Sequence, residues 1–488
     1  MNVVAQPSLL AVDAWALGAV IAFSVGILVL LLLELLPSHP RSNRAAVVSL
    51  LTVAVAAFAV FRVRDDRRML FQGMFVHDGI TVFTTFLFCA ITVMGVLLSW
   101  DYVKRARINH GEYYALMLSA TLGMIVMAAS NDLITIFLGL ELMSLALYIL
   151  VGFRRNHLES SEAALKYFLL GAFASGFLLY GIALLYGASG TTNLSKMAQF
   201  LSDSPLPGNP LLIAGGLLVL VGLGFKVAVV PFHMWTPDAY QGAPVPVTAY
   251  MSAGAKAAGF AALVRLVLLV LPDIHADWTV VLSWIAGLTM TVGNVTALFQ
   301  TNVKRMLAYS SIAHAGYVLV AVVAGGASGA SAAMFYLAVY SFMNLGAFGI
   351  LTLLGKDGEE RVLISDLAGL GFRQPLLGLA MTLFMISLGG IPPTAGFMGK
   401  VYVFGVALER NLVPLVIVGV LNSVISVFYY LRITVAMYME EPRGEPAPIS
   451  WAIPSAVALL LSVALTLWWG LQAHGLLEQA QRSVLGIL

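Results

Sequence analysis

Long runs of hydrophobic residues, separated by short polar stretches, make up most of this chain. A helix that spans a bilayer needs about 20 predominantly apolar residues. The runs predict about fourteen such helices. They lie near residues 14–36, 46–62, 79–99, 112–130, 132–152, 162–186, 211–234, 244–271, 278–299, 304–325, 330–355, 374–408, 412–440 and 450–471. The pattern therefore predicts an all-α polytopic membrane protein.

The seventh and twelfth runs are interrupted by segments that contain proline. The seventh includes Pro231, and the twelfth includes Pro392 and Pro393. Proline lacks a backbone donor and disrupts the preceding helical turn. Carbonyl groups freed inside a membrane need partners from protein or from a water-filled cavity. We therefore predict that both helices are broken and that a polar path runs past the breaks.

The chain also contains an internal repeat, because residues 146–185 align without gaps on residues 315–354 at an offset of 169. The offset covers five predicted helices. Since five is an odd number, the second copy is expected to be inverted relative to the first. The repeat predicts four segments. They are an N-terminal three-helix segment (1–110), two five-helix repeats made of helices 4–8 (111–272) and helices 9–13 (273–440), and a C-terminal helix with its tail (441–488).

Composition narrows the possible classes of protein. Hydrophobic residues make up 60% of the chain and charged residues 10%, whereas a soluble domain has about 25% charged residues. The net charge of +2 gives no indication of a nucleic-acid partner. The single cysteine, Cys89, excludes an intrachain disulfide and a cysteine-based metal or iron–sulfur site. The N-terminus has no basic segment, so the first run is expected to remain as a helix.

Basic residues in alternate loops predict the orientation, because such residues favour the cytoplasmic side. These residues are Arg41, Arg44, Lys104, Arg105, Arg107, Arg154, Arg155, Lys304, Arg305, Lys356, Arg361, Arg373 and Arg443. With fourteen helices, both termini are then expected outside. The segment RVRDDRR, residues 62–68, places four arginines on the opposite side and conflicts with this rule.

Five ionisable residues lie within runs that are otherwise apolar: Glu141, Lys166, Lys226, Lys256 and Lys400. A charge at the centre of a membrane helix costs about 2.5–3.5 kcal/mol on insertion scales. Several such charges predict a protein that moves ions or protons. Because four of the five are lysines, and a buried ammonium group can lose its proton, proton handling is favoured.

Three lysines have the strongest functional indication. Lys256 is flanked by glycine and alanine, which leave room for water and close helix approach. Lys226 precedes Pro231 by five residues, and Lys400 follows the second break. The alternative for Lys226 and Lys400 is a side chain that extends along its helix to the membrane surface.

The other candidates each have a structural alternative. Glu141 is predicted to modulate the proton affinity of a neighbouring lysine, or else to be a neutral, hydrogen-bonded carboxyl group. Lys166 follows Glu162 by four residues and could form a helix ion pair with it. His233, in the first break, and His314, beside two serines, are candidate proton relays. A histidine in an apolar helix can equally be a hydrogen-bonded core residue.

Three motifs resemble one family. They are KVAVVPFHMWTPDAYQGAPVP (226–246), TNVKRMLAYSSIAHAGY (301–317) and IPPTAGFMGK (391–400). These motifs are similar to those of the antiporter-like membrane subunits of respiratory complex I. The wider superfamily includes subunits of Mrp-type cation/proton antiporters and of energy-converting hydrogenases. Lysine at position 400 and the short tail after the last helix are similar to the corresponding features of the paralogue that lies nearest the redox arm.

The resemblance implies a role for each matching residue. Glu141 matches the fifth-helix glutamate that modulates the pump, and Lys226, Lys256 and Lys400 match the lysines of helices 7, 8 and 12. His233 and His314 match histidines on the hydrated axis of the family. The resemblance gives weaker support for a relay role of Lys166.

The family also implies the setting in which the chain works. It implies proton translocation coupled to quinone reduction elsewhere in a bacterial inner-membrane complex; the alternatives are an Mrp-type Na⁺/H⁺ antiporter and a hydrogenase subunit. Flavin, iron–sulfur clusters, NADH and quinone are expected on other subunits. This chain is expected to bind none of these groups and no metal. The expected partners are a second antiporter-like subunit, small membrane subunits, the lipid bilayer and protons.

Overall fold

The computed structural model describes residues 14–35, 43–203, 209–270, 275–355, 359–441 and 448–485. These residues form nineteen α-helices and one two-stranded antiparallel hairpin, β1 (Arg68–Leu70) and β2 (Phe75–His77). The helices are α1 (Gly18–Glu34), α2 (Arg44–Arg62), α3 (Gly79–Arg105), α4 (Gly111–Ala129), α5 (Leu133–Val151), α6 (Leu158–Ser189), α7 (Leu194–Asp203), α8 (Pro210–Val227), α9 (Trp235–Gly242), α10 (Val245–Val270), α11 (His275–Leu298), α12 (Val303–Ala324), α13 (Gly326–Leu353), α14 (Leu370–Arg373), α15 (Pro375–Gly389), α16 (Ala395–Glu409), α17 (Val413–Met439), α18 (Ile453–Leu471) and α19 (Ala473–Val484).

Every one of the fourteen predicted spans contains helix. Twelve of the described helices are long and apolar enough to cross a membrane alone, and α1 and α15 are shorter apolar helices. The all-α polytopic prediction is therefore confirmed. Three of the loop residues used to predict orientation, Arg41, Lys356 and Arg443, lie outside the described residues.

Both predicted breaks are confirmed. The first break separates α8 from α9, and the second separates α15 from α16. Each first half ends on a residue in the left-handed region, Ala228 (φ 63°) or Gly390 (φ 80°). A cis proline follows in each case, at Val230–Pro231 and at Pro392–Pro393. The two breaks therefore have the same local construction.

The repeat is visible in contacts that recur at an offset of 170 residues, one more than the offset of 169 in the aligned segment 146–185. Asp132 and Asn302 each cap the next helix, and they form backbone bridges with Asn193 and Leu363, respectively. Tight helix contacts recur in the same way. The position of a Cβ added at Gly123 lies 2.5 Å from the Met143 nitrogen, and that at Gly293 lies 2.6 Å from the Ala313 nitrogen. The scaffold is thus duplicated, while the residue limits of the four segments remain a prediction.

Helices α10, α12 and α13 form the centre of the bundle, because most of their residues are buried against other helices. By contrast, α2, α6, α11, α17 and α18 expose large apolar side chains, as expected for surfaces that face lipid or neighbouring subunits. Lys256 on α10 and His314 on α12 therefore lie in the most enclosed part of the molecule.

The β-hairpin and the helices α7, α9, α14 and α19 lie outside the residue ranges predicted for the spans. Helices α7 and α19 each bury one face and expose the other; α7, for example, buries only Leu194, Met197 and Leu201. Residues 62–68 lead into the hairpin, where Asp66 forms an ion pair with Arg68 at 3.0 Å. These elements are too short or too polar to resemble a spanning run.

Candidate functional site

Lys226 lies in the last turn of α8, and its side chain is 2% exposed. Its Nζ donates to the Ser144 hydroxyl on α5 (2.9 Å) and to the Tyr167 hydroxyl on α6 (3.1 Å). The ammonium group also lies 5.4 Å from the centre of the Tyr167 ring. The nearby break frees the carbonyl of Phe225, which accepts a hydrogen bond from the Trp235 indole at 2.9 Å.

Lys256 lies in the middle of α10 and is 3% exposed. Its Nζ donates to the carbonyl and to the hydroxyl (2.5 Å) of Ser311 on α12. The Tyr340 ring centre lies 5.5 Å from the ammonium group. No carboxylate appears among the hydrogen-bond and ion-pair partners of Lys256 in the described chain, so hydroxyl, carbonyl and aromatic groups surround it.

Lys400 lies in the first half of α16 and is 4% exposed. Its Nζ donates to the Gly389 carbonyl (2.8 Å) and the Leu388 carbonyl (3.3 Å) at the end of α15. A third bond goes to the Ser423 hydroxyl on α17 (2.8 Å). The lysine therefore supplies donors to carbonyl groups that the second break frees, and it does not extend to a membrane surface.

His314 lies between Lys256 and Lys400, because its ring contacts both the Tyr340 ring beside Lys256 and the Tyr317 ring beside Lys400. One ring nitrogen, Nδ1, is 2.7 Å from the Tyr336 hydroxyl, and Nε2 is 3.1 Å from the Tyr430 hydroxyl. Tyr430 also bonds to Ser310, the neighbour of the serine that holds Lys256. His314 is thus both a hydrogen-bonded core residue and a link between two lysines.

Aromatic side chains line the space between Lys226 and Lys256. The Trp235 ring stacks on Tyr167, with centroids 4.2 Å apart and planes 10° from parallel. Tyr240 contacts Trp235 edge-on and places its hydroxyl 3.4 Å from the Ser311 hydroxyl. The three lysines Lys226, Lys256 and Lys400, called the lysine row below, are therefore connected by hydroxyl and aromatic groups.

Glu141 lies on α5, half-buried, three residues before the serine that holds Lys226. Its carboxylate accepts a hydrogen bond from Ser175 on α6. Ser175 also lines a small cavity together with Ser144 and Lys226, so the carboxylate lies next to the cavity that Lys226 reaches. The structure therefore places Glu141 at one end of the lysine row.

Lys166 lies apart from the lysine row, in an open polar pocket. Its side chain is 46% exposed, and its Nζ forms ion pairs with Glu162 (2.6 Å) and Asp238 (3.1 Å). Asp238 also pairs with Arg305 at 2.6 Å. The pocket, called the polar vestibule below, is lined by Glu159, Glu162, Lys166, Asp238, Gln241 and Arg305. The structural alternative for Lys166, an ion pair with Glu162, is present.

His233 lies in the first break, between α8 and α9, and is half-buried. Its Nδ1 has no hydrogen-bond partner among the described residues. The structure describes no contact that brings His233 to Lys226, although the two residues are only seven positions apart. Its relay role remains a prediction with less support than that of His314.

Several polar residues around the lysine row were not identified from the sequence. They include the serines that receive a lysine bond, Ser144, Ser311 and Ser423, and the tyrosines Tyr167, Tyr317, Tyr336, Tyr340 and Tyr430. Asn294 on α11 is another, because its buried amide contacts the hydroxyls of Tyr317 (3.2 Å) and Tyr429 (2.9 Å). One indication of these partners was present in the sequence, because the segment SSIAH (310–314) places two serines just before His314.

Arg265 and Arg432 have structural roles. Arg265 forms a buried bidentate pair with Asp78, at 2.7 and 2.9 Å. Asp78 caps α3 by accepting the Thr81 amide at 2.9 Å. Arg432 donates to the Leu298 carbonyl (2.9 Å), where α11 ends, and to that of Gln300. These contacts fix helix ends and do not extend the lysine row.

Comparison with known proteins gives one consistent result. The family model described as NADH:quinone oxidoreductase/Mrp antiporter, TM, matches residues 130–426. NADH-quinone oxidoreductase subunit N of Trichlorobacter lovleyi is 49% identical over 465 residues, 95% of each chain. The protein of the same name from Chloroflexus aggregans is 49% identical over 381 residues, 78% of each chain.

Solved structures agree with these sequence matches. A chain of respiratory complex I from Thermus thermophilus with bound aureothin is 36% identical, with a TM-score of 0.80, over 95% of this chain and 100% of that one. A chain of the Mrp complex from Dietzia shares the fold, with a TM-score of 0.85 over 97% of each chain, but is only 22% identical. The chain with the lysine row therefore belongs to the NADH:quinone oxidoreductase/Mrp antiporter family, in the branch of the subunit N proteins.

Proposed function

We propose that this chain is a proton-translocating membrane subunit of an NADH-quinone oxidoreductase. The observation that carries the proposal is the lysine row. It consists of three buried ammonium groups, each bonded to a serine on a neighbouring helix. Buried ionisable groups of this kind in a membrane protein are typical of ion and proton paths. The 49% identity to subunit N, against 22% to the Mrp chain, favours this function over an antiporter subunit.

The contacts support one route for protons. Protons would reach Lys256 from the polar vestibule through Tyr240, whose hydroxyl lies beside Ser311. From Lys256 they would pass by way of Ser310, Tyr430 and His314 towards Lys400. Hydroxyl and imidazole groups both donate and accept protons, as a relay requires.

Glu141 and Lys226 would receive the signal that drives this route. Quinone reduction elsewhere in the complex would change the charge or position of Glu141, and that change would alter the proton affinity of Lys226. A hundredfold change in proton affinity corresponds to about 2.7 kcal/mol. Moving one charge against 100 mV costs about 2.3 kcal/mol. Electrostatic coupling of this size therefore suffices for one proton.

The redox cofactors would lie elsewhere in the assembly. We propose that flavin, iron–sulfur clusters, NADH and quinone are held by other subunits, and that this chain carries no redox site. We also propose that the chain lies in a bacterial inner membrane with both termini outside. Its exposed apolar helices would face lipid, small membrane subunits and a second antiporter-like subunit.

The test replaces Lys256 in the assembled complex in sealed vesicles. Lys256→Met is expected to lower the rate of proton translocation at least fivefold, because the central group of the lysine row is lost. Lys256→Arg is expected to have a similar effect, since a guanidinium keeps the charge but does not release a proton in proteins. The measurement is proton uptake or release together with the rate of quinone reduction.

Lys196→Met is the matched control, because Lys196 is exposed on α7, and it is expected to leave pumping unchanged. Undiminished pumping by Lys256→Met at a normal quinone reductase rate would contradict the proposal. Sodium-dependent pH changes in vesicles without NADH would instead support an Mrp-type activity.

A further inference from the structure

Glu360 lies in the loop after α13, at the end of the bundle that carries the predicted cytoplasmic loops. Its side chain is 12% exposed, so the carboxylate is largely enclosed. The lysine row does not include it, and no hydrophobic run or motif in the sequence marks it. Its contacts nevertheless reach four helices.

The carboxylate has four partners, one on each helix or its end. It accepts hydrogen bonds from the Tyr102 hydroxyl on α3 and from the Val245 amide, which begins α10 (3.1 Å). It forms ion pairs with Lys304, at the start of α12 (2.8 Å), and with Arg154, just after α5 (3.2 Å). We call Glu360 and these four residues the Glu360 hub.

Three of the four helices carry the candidate site. Helix α5 carries Glu141, α10 carries Lys256, and α12 carries Ser311 and His314. A single carboxylate therefore holds the same end of α5, α10 and α12. Movement of any one helix end changes its distance to Glu360.

The hub also fixes the joint between α9 and α10. Lys304 donates to the carbonyl of Ala243, the C-cap of α9, at 2.6 Å. Two residues further on, the Val245 amide is bound to Glu360. Lys304 therefore holds the α9 side of the joint and Glu360 holds the α10 side, and these two residues also bind each other.

The position of this joint affects the proposed route to Lys256. Tyr240 lies three residues before Ala243, and its carbonyl accepts a bond from Thr248 on α10 at 2.9 Å. Its hydroxyl is 3.4 Å from the Ser311 hydroxyl, at the long limit of a hydrogen bond. A small displacement of the joint would therefore make or break the contact between Tyr240 and Ser311.

The charges of the hub keep the carboxylate ionised. Burial alone would raise the pKa of Glu360, but Lys304 and Arg154 outweigh burial and hold the pKa below its usual value. Arg154 has a second partner, His157, at 2.9 Å, whereas Lys304 is almost fully buried and depends on Glu360 for its counter-charge. Loss of the carboxylate would leave a buried cation unpaired next to the joint.

We infer that Glu360 is a positioning residue for proton transfer: by fixing the joint between α9 and α10 it sets the contact of Tyr240 with Ser311 and hence the delivery of protons to Lys256. This inference rests on the proposed function of Lys256. Glu360 touches neither Lys256 nor Ser311 and acts through the helices that carry them.

The test is Glu360→Gln in the assembled complex in sealed vesicles, with Glu359→Gln as the matched control. Glu359 precedes Glu360 but is 79% exposed, with only a 4.0 Å contact to Arg361. Per assembled complex, Glu360→Gln is expected to lower proton translocation at least threefold, whereas Glu359→Gln leaves it unchanged. Glu360→Asp keeps the counter-charge of Lys304 and is expected to restore part of the lost pumping.

A second variant separates positioning from simple stabilisation. Glu360→Gln combined with Lys304→Met removes the unpaired buried cation and is expected to restore the amount of assembled complex. If Glu360 is a positioning residue, pumping by this double variant stays at least threefold low, because Ala243 is no longer held. Wild-type pumping per complex by either the single or the double variant would overturn the inference.

Lys256→Met, measured in the same preparation, keeps the two hypotheses apart. Normal pumping by Lys256→Met refutes the proposed function itself. Loss of pumping by Lys256→Met together with normal pumping by Glu360→Gln refutes only the role of Glu360.

Discussion

At the residue scale, a shared feature of the lysine row is that each lysine is held by a serine from another helix. Lys226, Lys256 and Lys400 were identifiable from the sequence because a charge inside an apolar run is costly and therefore rare. Their partners were not identifiable. Serine and tyrosine are common in this chain, with 17 tyrosines in all, and nothing in the sequence shows which of them face a lysine.

The first prediction separates Lys166 from the lysine row. Lys166 is half-exposed and sits in an ion-pair network with Glu162 and Asp238, and exposed ion pairs contribute only about 0–1 kcal/mol. We expect Lys166→Met to change proton translocation less than twofold. Lys226→Met, at a buried site, is expected to lower it at least fivefold.

Both variants are to be measured as protons moved per NADH oxidised in sealed vesicles that contain equal amounts of complex. Equal losses in the two variants would show that Lys166 is a relay as well. The sequence alone left this choice open, since Glu162 four residues before Lys166 fits a helix pair in either case.

At the element scale, the scaffold depends on close helix contacts that recur in both copies. The contact between α11 and α12 at Gly293 leaves no room for a side chain, because an added Cβ would lie 2.6 Å from the Ala313 nitrogen. Small residues at such contacts let membrane helices approach closely. We expect Gly293→Leu to reduce the amount of chain incorporated into the complex at least threefold.

Gly405→Leu is the control for this prediction, because no atom lies within 4 Å of a Cβ added at Gly405. The measurement is the amount of chain in the purified complex. Normal incorporation of Gly293→Leu would show that α11 and α12 can separate without loss of assembly.

A further element-scale prediction concerns the buried pair between Asp78, at the start of α3, and Arg265 on α10. Removing one partner of a buried ion pair typically costs about 3–5 kcal/mol. We expect Asp78→Asn to lower the unfolding temperature of the detergent-solubilised protein by several degrees at pH 7. The control is Asp65→Asn, on an 86% exposed side chain.

The effect of Asp78→Asn is expected to depend on pH. Burial alone would raise the pKa of Asp78, but the charge and hydrogen bonds of Arg265 and the Thr81 bonds hold it below 3.8. Because the pKa in the folded state is below that in the unfolded state, the stabilisation is present at neutral pH. It is lost as the pH falls below about 3.8 towards the folded-state value. The difference between wild type and Asp78→Asn should therefore narrow in acid, and a constant difference would contradict this account.

At the scale of the whole molecule, hydrophobic runs and proline positions were sufficient to predict the fourteen spans and the two broken helices, because both follow from local composition. The repeat was predictable from the gap-free alignment of residues 146–185 on 315–354. The hairpin, the amphipathic helices α7 and α19 and the Glu360 hub could not be predicted. The hub depends on Tyr102, Arg154 and Lys304, which lie up to 258 positions from Glu360 and meet only when both copies are folded.

The three bonds of Lys400 have a consequence for hydration. An ammonium group has three donors, and those of Lys400 go to the Leu388 and Gly389 carbonyls and to Ser423. A neutral amine has only two, so each departing proton removes the bond from Lys400 to one of these three acceptors. Inside a membrane such an acceptor needs a new partner, and a water molecule is the smallest that fits. Each proton that leaves Lys400 should therefore be accompanied by the entry of a water molecule at the second break. Proton release and hydration at this site would then occur together.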